Sequence, residues 1–493
     1  MTDQQSSYRQ IMKATSIFGG VQVFQIIIGI IRSKFIAVLL GPLGMGISGL
    51  LTSTTGFVAA LTNFGLSTSA VRDIAAAYGT GNETRLAIVA EVFRRWVWVT
   101  GLLGVLLTAA FSPWLSEITF GNRNYTFSFI FISITLLLGQ LSAGNSVLLQ
   151  GTRQIRLLAK SGMLGSIFGL VTTIPLYYLY GIEGIVPGII VTAITSLLLT
   201  WYYARKLDIK SVYVSKARTL AEGKEMLKMG FMISLSGLIT LGASYIVRIF
   251  ISRTGGVEQV GLYNAGFAII NTYVGMIFTA MGTDYYPRLS AVANSNDESR
   301  NVMNQQAEIA LLILAPILIV FLVFIKWVVI LLYSKQFLPV TDMIYWAALG
   351  MFFKAASWSI AFIFLAKGTS KLFFWNELIT NIYLLGLNLL GYYYMGLTGL
   401  GLSFLVAYFI YLIQVYGVAN LKFRFHFNAE FIKISSLQLG LALLSFLVVK
   451  LLCNPYMYLA GGGLIILSAW YSWKELDKRL DLKAIIVSIK NRF

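Results

Sequence analysis

Long apolar runs separated by short polar gaps dominate this chain. A helix needs about 20 mostly apolar residues to cross a bilayer. Fourteen stretches qualify: 14–40, 42–64, 94–115, 126–149, 159–180, 185–204, 230–252, 261–283, 307–333, 343–366, 372–394, 399–420, 435–453 and 456–473. Some are tight pairs, separated only by Gly41-Pro42, Gly181–Gly184 or Gly396–Gly399. Two-residue alternation is weak, so the runs predict helices rather than the strands of an outer-membrane barrel. No polar stretch reaches the size of a soluble domain. The longest runs from about Ala204 to Met229. The expected fold class is an all-α polytopic membrane protein with about 14 transmembrane helices.

An internal repeat organises these spans. The first hairpin carries Arg32, then Gly41-Pro42-Leu43-Gly44-Met45-Gly46, then Asn63-Phe64-Gly65 and Arg72. A second hairpin carries Arg248, then Gly256-Val257-Glu258-Gln259-Val260-Gly261, then Met281-Gly282 and Pro287-Arg288. Glycine spacing and flanking arginines match at an offset of about 215 residues, or six helices. An even number of spans per copy preserves orientation, which predicts two parallel six-helix repeats related by an axis along the membrane normal. The expected divisions are an N-terminal six-helix bundle at 1–210, a C-terminal six-helix bundle at 211–425 and an extra helix pair at 426–473. A tail at 474–493 spaces Leu476, Leu480, Leu482, Ile485, Ile486 and Ile489 among charges, as an interfacial amphipathic helix would. Two bundles suggest a transporter, whose substrate would bind between the repeats.

Composition narrows the classes. Only 12% of residues are charged, against about 25% in soluble domains. One histidine, His426, and one cysteine, Cys453, leave no zinc-ligand set. The net charge of +18 is mainly a topology signal. The loops that alternation places inside hold Arg72, Arg85, Arg94, Arg95, Arg153, Arg156, Lys160, Arg205, Lys206, Lys210, Lys216, Arg218, Lys224 and Lys228. Those placed outside hold only Arg123, Arg253 and Lys335. This asymmetry predicts cytoplasmic termini. Basic residues scattered over many short loops, with no DNA-binding motif beside them, argue against a nucleic-acid partner. The first apolar run exceeds 20 residues and lacks a small-residue cleavage site, so it is expected to be an uncleaved helix.

The candidate chemistry is cationic. Arg32, Lys34, Arg248, Lys326, Lys354 and Lys450 fall within the marked spans, whereas Glu308, Asp342 and Glu377 fall near span ends. Ionisable groups inside a bilayer usually face a cavity or a partner. The deep charge is thus expected to be of one sign, and such a cluster needs an anion. Arg32 lies ~13 Å from the Gly41 turn at about 1.5 Å per residue. Gln22, Gln25, Gly29 and Arg32 share one helix face. Ser236, Thr240, Ser244 and Arg248 make a comparable stripe. Lys354 is near the middle of its span. The expected substrate-binding set is Arg32, Arg248, Lys354, Gln22, Gln25, Ser244 and Asn271, with Lys326, Asn145 and Asn63 behind them. Lys34 suits snorkelling or helix packing, and Lys450 suits an interfacial anchor. Gln140, Asn381 and Asn388 suit interhelical hydrogen bonds equally well.

The stretch from Arg32 through Ser-Lys-Phe-Ile-Ala-Val-Leu-Leu-Gly-Pro-Leu-Gly-Met-Gly resembles the first hairpin of polysaccharide and O-antigen flippases. Val260-Gly261-Leu262-Tyr263-Asn264-Ala265 and Tyr286-Pro287-Arg288-Leu289-Ser290 are similar to their seventh-to-eighth helix region. These belong to the multidrug/oligosaccharidyl-lipid/polysaccharide (MOP) exporter superfamily, with its MATE-like fold. The resemblance implies a bacterial inner-membrane flippase that moves an undecaprenyl-pyrophosphate-type lipid-linked glycan from the cytoplasmic to the periplasmic leaflet. It also implies membrane lipids as partners, and polysaccharide polymerase machinery as a further one. Related lipid II flippases use their two extra helices to form a groove for the lipid tail, which implies that role for 435–453 and 456–473. No cofactor is expected, and the energy source stays open between a coupling ion and the membrane potential. A cation-coupled drug exporter of the same fold remains an alternative, although the first helix has no carboxylate. A membrane glycosyltransferase or polymerase remains another, although the outer loops offer only Glu117, Glu183 and Glu258 as isolated acids.

Overall fold

The computed structural model describes residues 3–210 and 212–480, with side chains described from Gly20 onward except at Tyr273, Ala280, Thr283 and Leu480. The tail positions Leu482, Ile485, Ile486 and Ile489 lie outside the described residues. Among the described residues, all regular structure is helical. Ten segments are long and apolar enough to cross a membrane, or eleven with one bent pair counted as a span.

Helix α1 (Asp3–Leu39) turns directly into α2 (Gly41–Thr62). The turn uses Gly41 at φ 66°, where a side chain would be strained. Pro42 follows in the first turn of α2, where its missing N–H is not needed. Helix α3 (Leu66–Gly79) buries Leu66, Ala70, Ile74 and Ala77 on one face. Helix α4 (Glu83–Ala110) starts at Asn82, whose side chain accepts from the Arg85 N–H at 2.9 Å. Helix α5 (Ser112–Phe120) follows at 68° to α4. Then come α6 (Thr126–Gly151), α7 (Ile155–Tyr180) and α8 (Ile185–Ala204).

Helix α9 runs from Lys216 to Gly255, over 40 residues. The polar stretch from Ala204 to Met229 is therefore helical over its second half. Side chains of α4 clamp this extension. Arg95 donates to the Val214 carbonyl at 2.8 Å, Trp96 Nε1 to the Thr219 carbonyl at 3.0 Å, and Arg85 pairs with Glu222 at 2.7 Å.

The expected span at 261–283 is built from three pieces. These are α10 (Val257–Phe267), a π-helical turn at Ala268–Val274 and α11 (Met276–Ala291). Helices α12 (Asn296–Leu332) and α13 (Thr341–Ala366) follow. Helix α14 (Ser370–Phe423) breaks at Gly396, where φ 59° and ψ −139° divide it into two helical arms. Helices α15 (Ala429–Leu451) and α16 (Tyr456–Leu480) close the chain's described part.

Two compact units emerge: Met1–Asn264 with Leu332–Ser334, and Ala265–Leu331 with Lys335–Phe493. In the first, Phe93, Val97, Val147 and Leu148 pack with Leu66, Ile74 and Met226. The same unit holds a reciprocal contact between the two repeated turns. A Cβ on Gly46 would lie 2.0 Å from the Val257 carbonyl oxygen, and one on Gly261 would lie 1.9 Å from that of Pro42. Residue pairs 46/257 and 42/261 are exchanged by the offset of about 215 found in the sequence. Such exchange is the signature of a two-fold contact.

In the second unit, Tyr285, Ile360, Phe364, Val415 and Phe425 form the core. Gln438 of α15 is buried and clasps α16, donating to Ser472 Oγ at 2.8 Å and accepting from Ser468 Oγ at 2.7 Å. Carboxylates at or just beyond the expected span ends are buried at α16. Glu308 and Glu475, each with a side chain 7% exposed, bond Arg479 of α16 at 2.8 and 2.6 Å. Glu377, two turns inside α14, accepts from Tyr411 OH at 3.1 Å.

Candidate functional site

A polar cavity in the first unit holds about 420 Å³. Helix α1 lines it with Gln22, Gln25 and Arg32, the stripe expected from helical spacing. Helices α6, α7 and α8 complete it with the hydroxyls of Ser142, Ser146, Ser161, Ser166, Thr192, Ser196 and Thr200. Close approach of α1 to α7 depends on small residues. A Cβ on Gly162 would lie 2.9 Å from Gln25 Nε2, and one on Gly169 would lie 2.8 Å from Arg32 Nη2. The two long polar side chains thus lie across a glycine seam.

The hydroxyls partly satisfy one another. Ser142 Oγ and Ser196 Oγ are 3.0 Å apart, and Thr200 Oγ1 donates to Ser142 Oγ at 3.2 Å. Arg32 is different: its Nε is buried without a hydrogen-bond partner among the described residues. A desolvated donor on a charged group is expensive to leave unpaired. A guanidinium fork can bind two phosphate oxygens at once. Hydroxyls and side-chain amides suit the donor and acceptor pattern of sugar hydroxyls. The arrangement can therefore accommodate an anion beside a polyhydroxylated group.

The other expected site residues separate into distinct places. Arg248 is tied within its own hairpin. Its Nε donates to Asn264 Oδ1 at 3.0 Å, its Nη1 to the Ser244 carbonyl at 3.0 Å and also to the Ser244 hydroxyl, and its Cζ lies 5.7 Å from the Tyr263 ring centre. Arg248 and Ser244 do not line the 420 Å³ cavity. Lys354 and Asn271 come together in the second unit. Lys354 Nζ donates to Asn271 Oδ1 at 2.7 Å, with the Tyr408 and Phe404 rings at 5.1 and 5.6 Å. Asn271 sits in the π-helical turn, a local distortion often found at functional sites. Asn145 lines a separate apolar groove. Asn63 holds a turn by accepting from the Gly65 N–H at 2.7 Å. Lys326 is exposed beside Trp327.

The remaining candidates have packing partners. Lys34 Nζ donates to the Tyr333 carbonyl at 2.6 Å. Lys450 pairs with Asp342 at 2.5 Å. Gln140 donates to Thr100 Oγ1 at 3.0 Å, and Asn381 to the Glu377 carbonyl at 2.8 Å. The residues not anticipated are the hydroxyl lining and the glycine seam. Both carried a periodic signal: 142 and 146; 192, 196 and 200; and 162, 165 and 169.

Comparison with known proteins adds identity to this geometry. The family model for polysaccharide biosynthesis proteins matches residues 35–342. A putative O-antigen transporter from Shigella flexneri is 26% identical over 298 residues, covering 59% of this chain and 69% of that protein. A lipid III flippase from Escherichia coli (strain K12) is 21% identical over 355 residues, covering 71% and 83%. Among solved structures, the lipid II flippase MurJ in an inward closed conformation aligns with a TM-score of 0.68 at 15% identity, over 94% of this chain and 99% of that one. An inward-facing MATE-family multidrug transporter of the MOP superfamily aligns at 0.66 and 14% identity, over 84% and 95%. With a family model matched over most of its length, the chain belongs to the polysaccharide biosynthesis protein family, and it shares the helical fold of these solved flippase and transporter structures.

Proposed function

We propose that the protein flips a polyprenyl-pyrophosphate-linked oligosaccharide from the cytoplasmic to the periplasmic leaflet of a bacterial inner membrane. The carrying observation is Arg32: a half-buried arginine whose Nε is buried and unpaired among the described residues, set among amides and hydroxyls in one cavity. Arg32 takes the pyrophosphate, and Gln22, Gln25 and the hydroxyl lining take the first sugars. The names of the matched relatives, an O-antigen transporter and lipid II and lipid III flippases, support this substrate class.

The proposed architecture has fourteen spans. Two parallel six-helix halves, 1–210 and 211–425, carry an extra pair at 426–473 and a cytoplasmic tail at 474–493. Both termini are cytoplasmic. The reciprocal Gly46/Val257 and Gly261/Pro42 contacts support a two-fold relation between the repeats. Rocking of the halves gives alternating access, while the polyprenyl chain stays in lipid. Lys354 with Asn271, and Arg248 with Ser244, receive the anion as it leaves Arg32. The exported glycan passes to polysaccharide polymerase machinery outside. An inside-negative potential favours outward movement of an anion by about 2.3 kcal/mol per charge per 100 mV.

The half-buried carboxylate Glu377, bonded by Tyr411 OH, favours a second reading, a cation-coupled exporter of small molecules. Proteoliposome assays separate the two. Flipping of a fluorescent polyprenyl-pyrophosphate oligosaccharide is expected for the wild type, with loss in Arg32→Ala and weaker loss in Arg248→Ala and Lys354→Ala. No flipping, together with cation-driven drug efflux, would establish the exporter instead.

A further inference from the structure

The outer face of the first unit carries a second concavity, unrelated in chemistry to the Arg32 cavity. A groove of about 630 Å³ runs between α4, α6 and α8. Its walls are apolar, including Val97, Leu137, Leu138, Leu141 and Leu197, and Asn145 is the one uncharged polar side chain lining it. Two arginines, Arg94 and Arg205, line it as well, and no carboxylate does.

Chain direction places the arginines together. Arg94 lies in the early part of α4, and Arg205 immediately follows the end of α8. Phe93, beside Arg94, packs in one cluster with Leu148 near the end of α6. The start of α4 and the end of α6 therefore share one level. Arg205 Cζ lies 4.6 Å from the centre of the Trp201 ring, and Trp98 also lines the groove. Exposed tryptophans beside arginines are the arrangement of a membrane interface. Among the described residues, the Arg94 side chain has no hydrogen bond or ion pair, and the Arg205 side chain has only its ring contact. Two unneutralised guanidinium groups thus cap an apolar slot at headgroup level.

We propose that this groove is a binding site for an anionic phospholipid. The acyl chain lies along the α4–α6–α8 slot, and Arg94 and Arg205 hold the phosphate and its net negative charge. Basic pockets between membrane helices favour anionic headgroups in this way. Charge complementarity selects the occupant: a zwitterionic lipid would bring a second cation to two arginines. A soluble sugar would find one amide in an apolar wall.

Native mass spectrometry of the full purified chain tests the site, with phosphatidylglycerol and phosphatidylcholine of matched chains as probes. The wild type should prefer phosphatidylglycerol, by up to about thirtyfold for two arginines. R94Q/R205Q should abolish the preference, while R153Q/R156Q, an equally basic change elsewhere, should keep it. Leu138→Trp, which fills the slot, should lower retention of both lipids. No preference in the wild type, a preference that survives R94Q/R205Q, or retention unchanged by Leu138→Trp would overturn the proposal. Displacement of phosphatidylglycerol by undecaprenyl pyrophosphate, lost in R94Q/R205Q, would assign the groove to the substrate lipid and also overturn it.

Discussion

Arg32 depends on Gly169 as much as on its own charge. With 2.8 Å between a Cβ at 169 and Arg32 Nη2, any side chain there pushes the guanidinium aside. Gly169→Val should lower flipping about 10- to 100-fold, the cost of losing a charge-assisted hydrogen bond. Gly139→Val is the matched control, because a Cβ there meets nothing within 4 Å and Gly139 does not line the cavity. Rates in proteoliposomes at equal protein density check both. Arg32→Lys should recover only part of the activity, since a lysine keeps the charge but loses the planar fork.

At the scale of elements, the repeated turns act through contact. Cβ atoms at Gly46 and Gly261 would each meet a carbonyl oxygen at about 2 Å, well inside van der Waals distance. Gly46→Ala and Gly261→Ala should each cost roughly 1–3 kcal/mol by overpacking. Gly56→Ala, in open space on the same α2, should be harmless. Thermal unfolding in detergent distinguishes them. The last helix makes a different prediction. Arg479→Met leaves the buried Glu308 without its guanidinium and should destabilise by about 3–5 kcal/mol. Glu308→Gln, which removes the charge needing a partner, should cost less in the same measurement.

Much of this was legible in the linear pattern. Spans were visible because a bilayer imposes a minimum apolar length on any crossing helix. The Gly396 break was visible because two apolar runs met at glycines. Helices α3 and α5 were hidden because they are short, and α3 is amphipathic rather than apolar. The first turns of α9 were hidden because they are held by hydrogen bonds to α4 rather than by burial in lipid. The π-helical turn at Ala268–Val274 left no mark in the local sequence. The Gln22–Gln25–Arg32 stripe stood out because charge and amide are rare in such helices. Its hydroxyl partners did not, because a serine or threonine can satisfy itself on its own helix, as Thr192 does by donating to the Gly188 carbonyl at 2.8 Å. The pairing of Glu308 was hidden because its partner, Arg479, is 171 residues away.

At the scale of the whole molecule, the chain is a polysaccharide biosynthesis family member with the fold of solved flippases and multidrug transporters. The net charge of +18 lies mostly in loops of one expected sidedness. The central claim is that a lipid-linked anion crosses the membrane past Arg32. Its most direct test is wild-type flipping of a fluorescent polyprenyl-pyrophosphate oligosaccharide in proteoliposomes, with potassium gradients and valinomycin clamping the potential. The account predicts protein-dependent flipping that accelerates when the substrate-loaded side is negative, and its loss in Arg32→Ala. Flipping by Arg32→Ala at the wild-type rate, or none by the wild type under any potential, would contradict it.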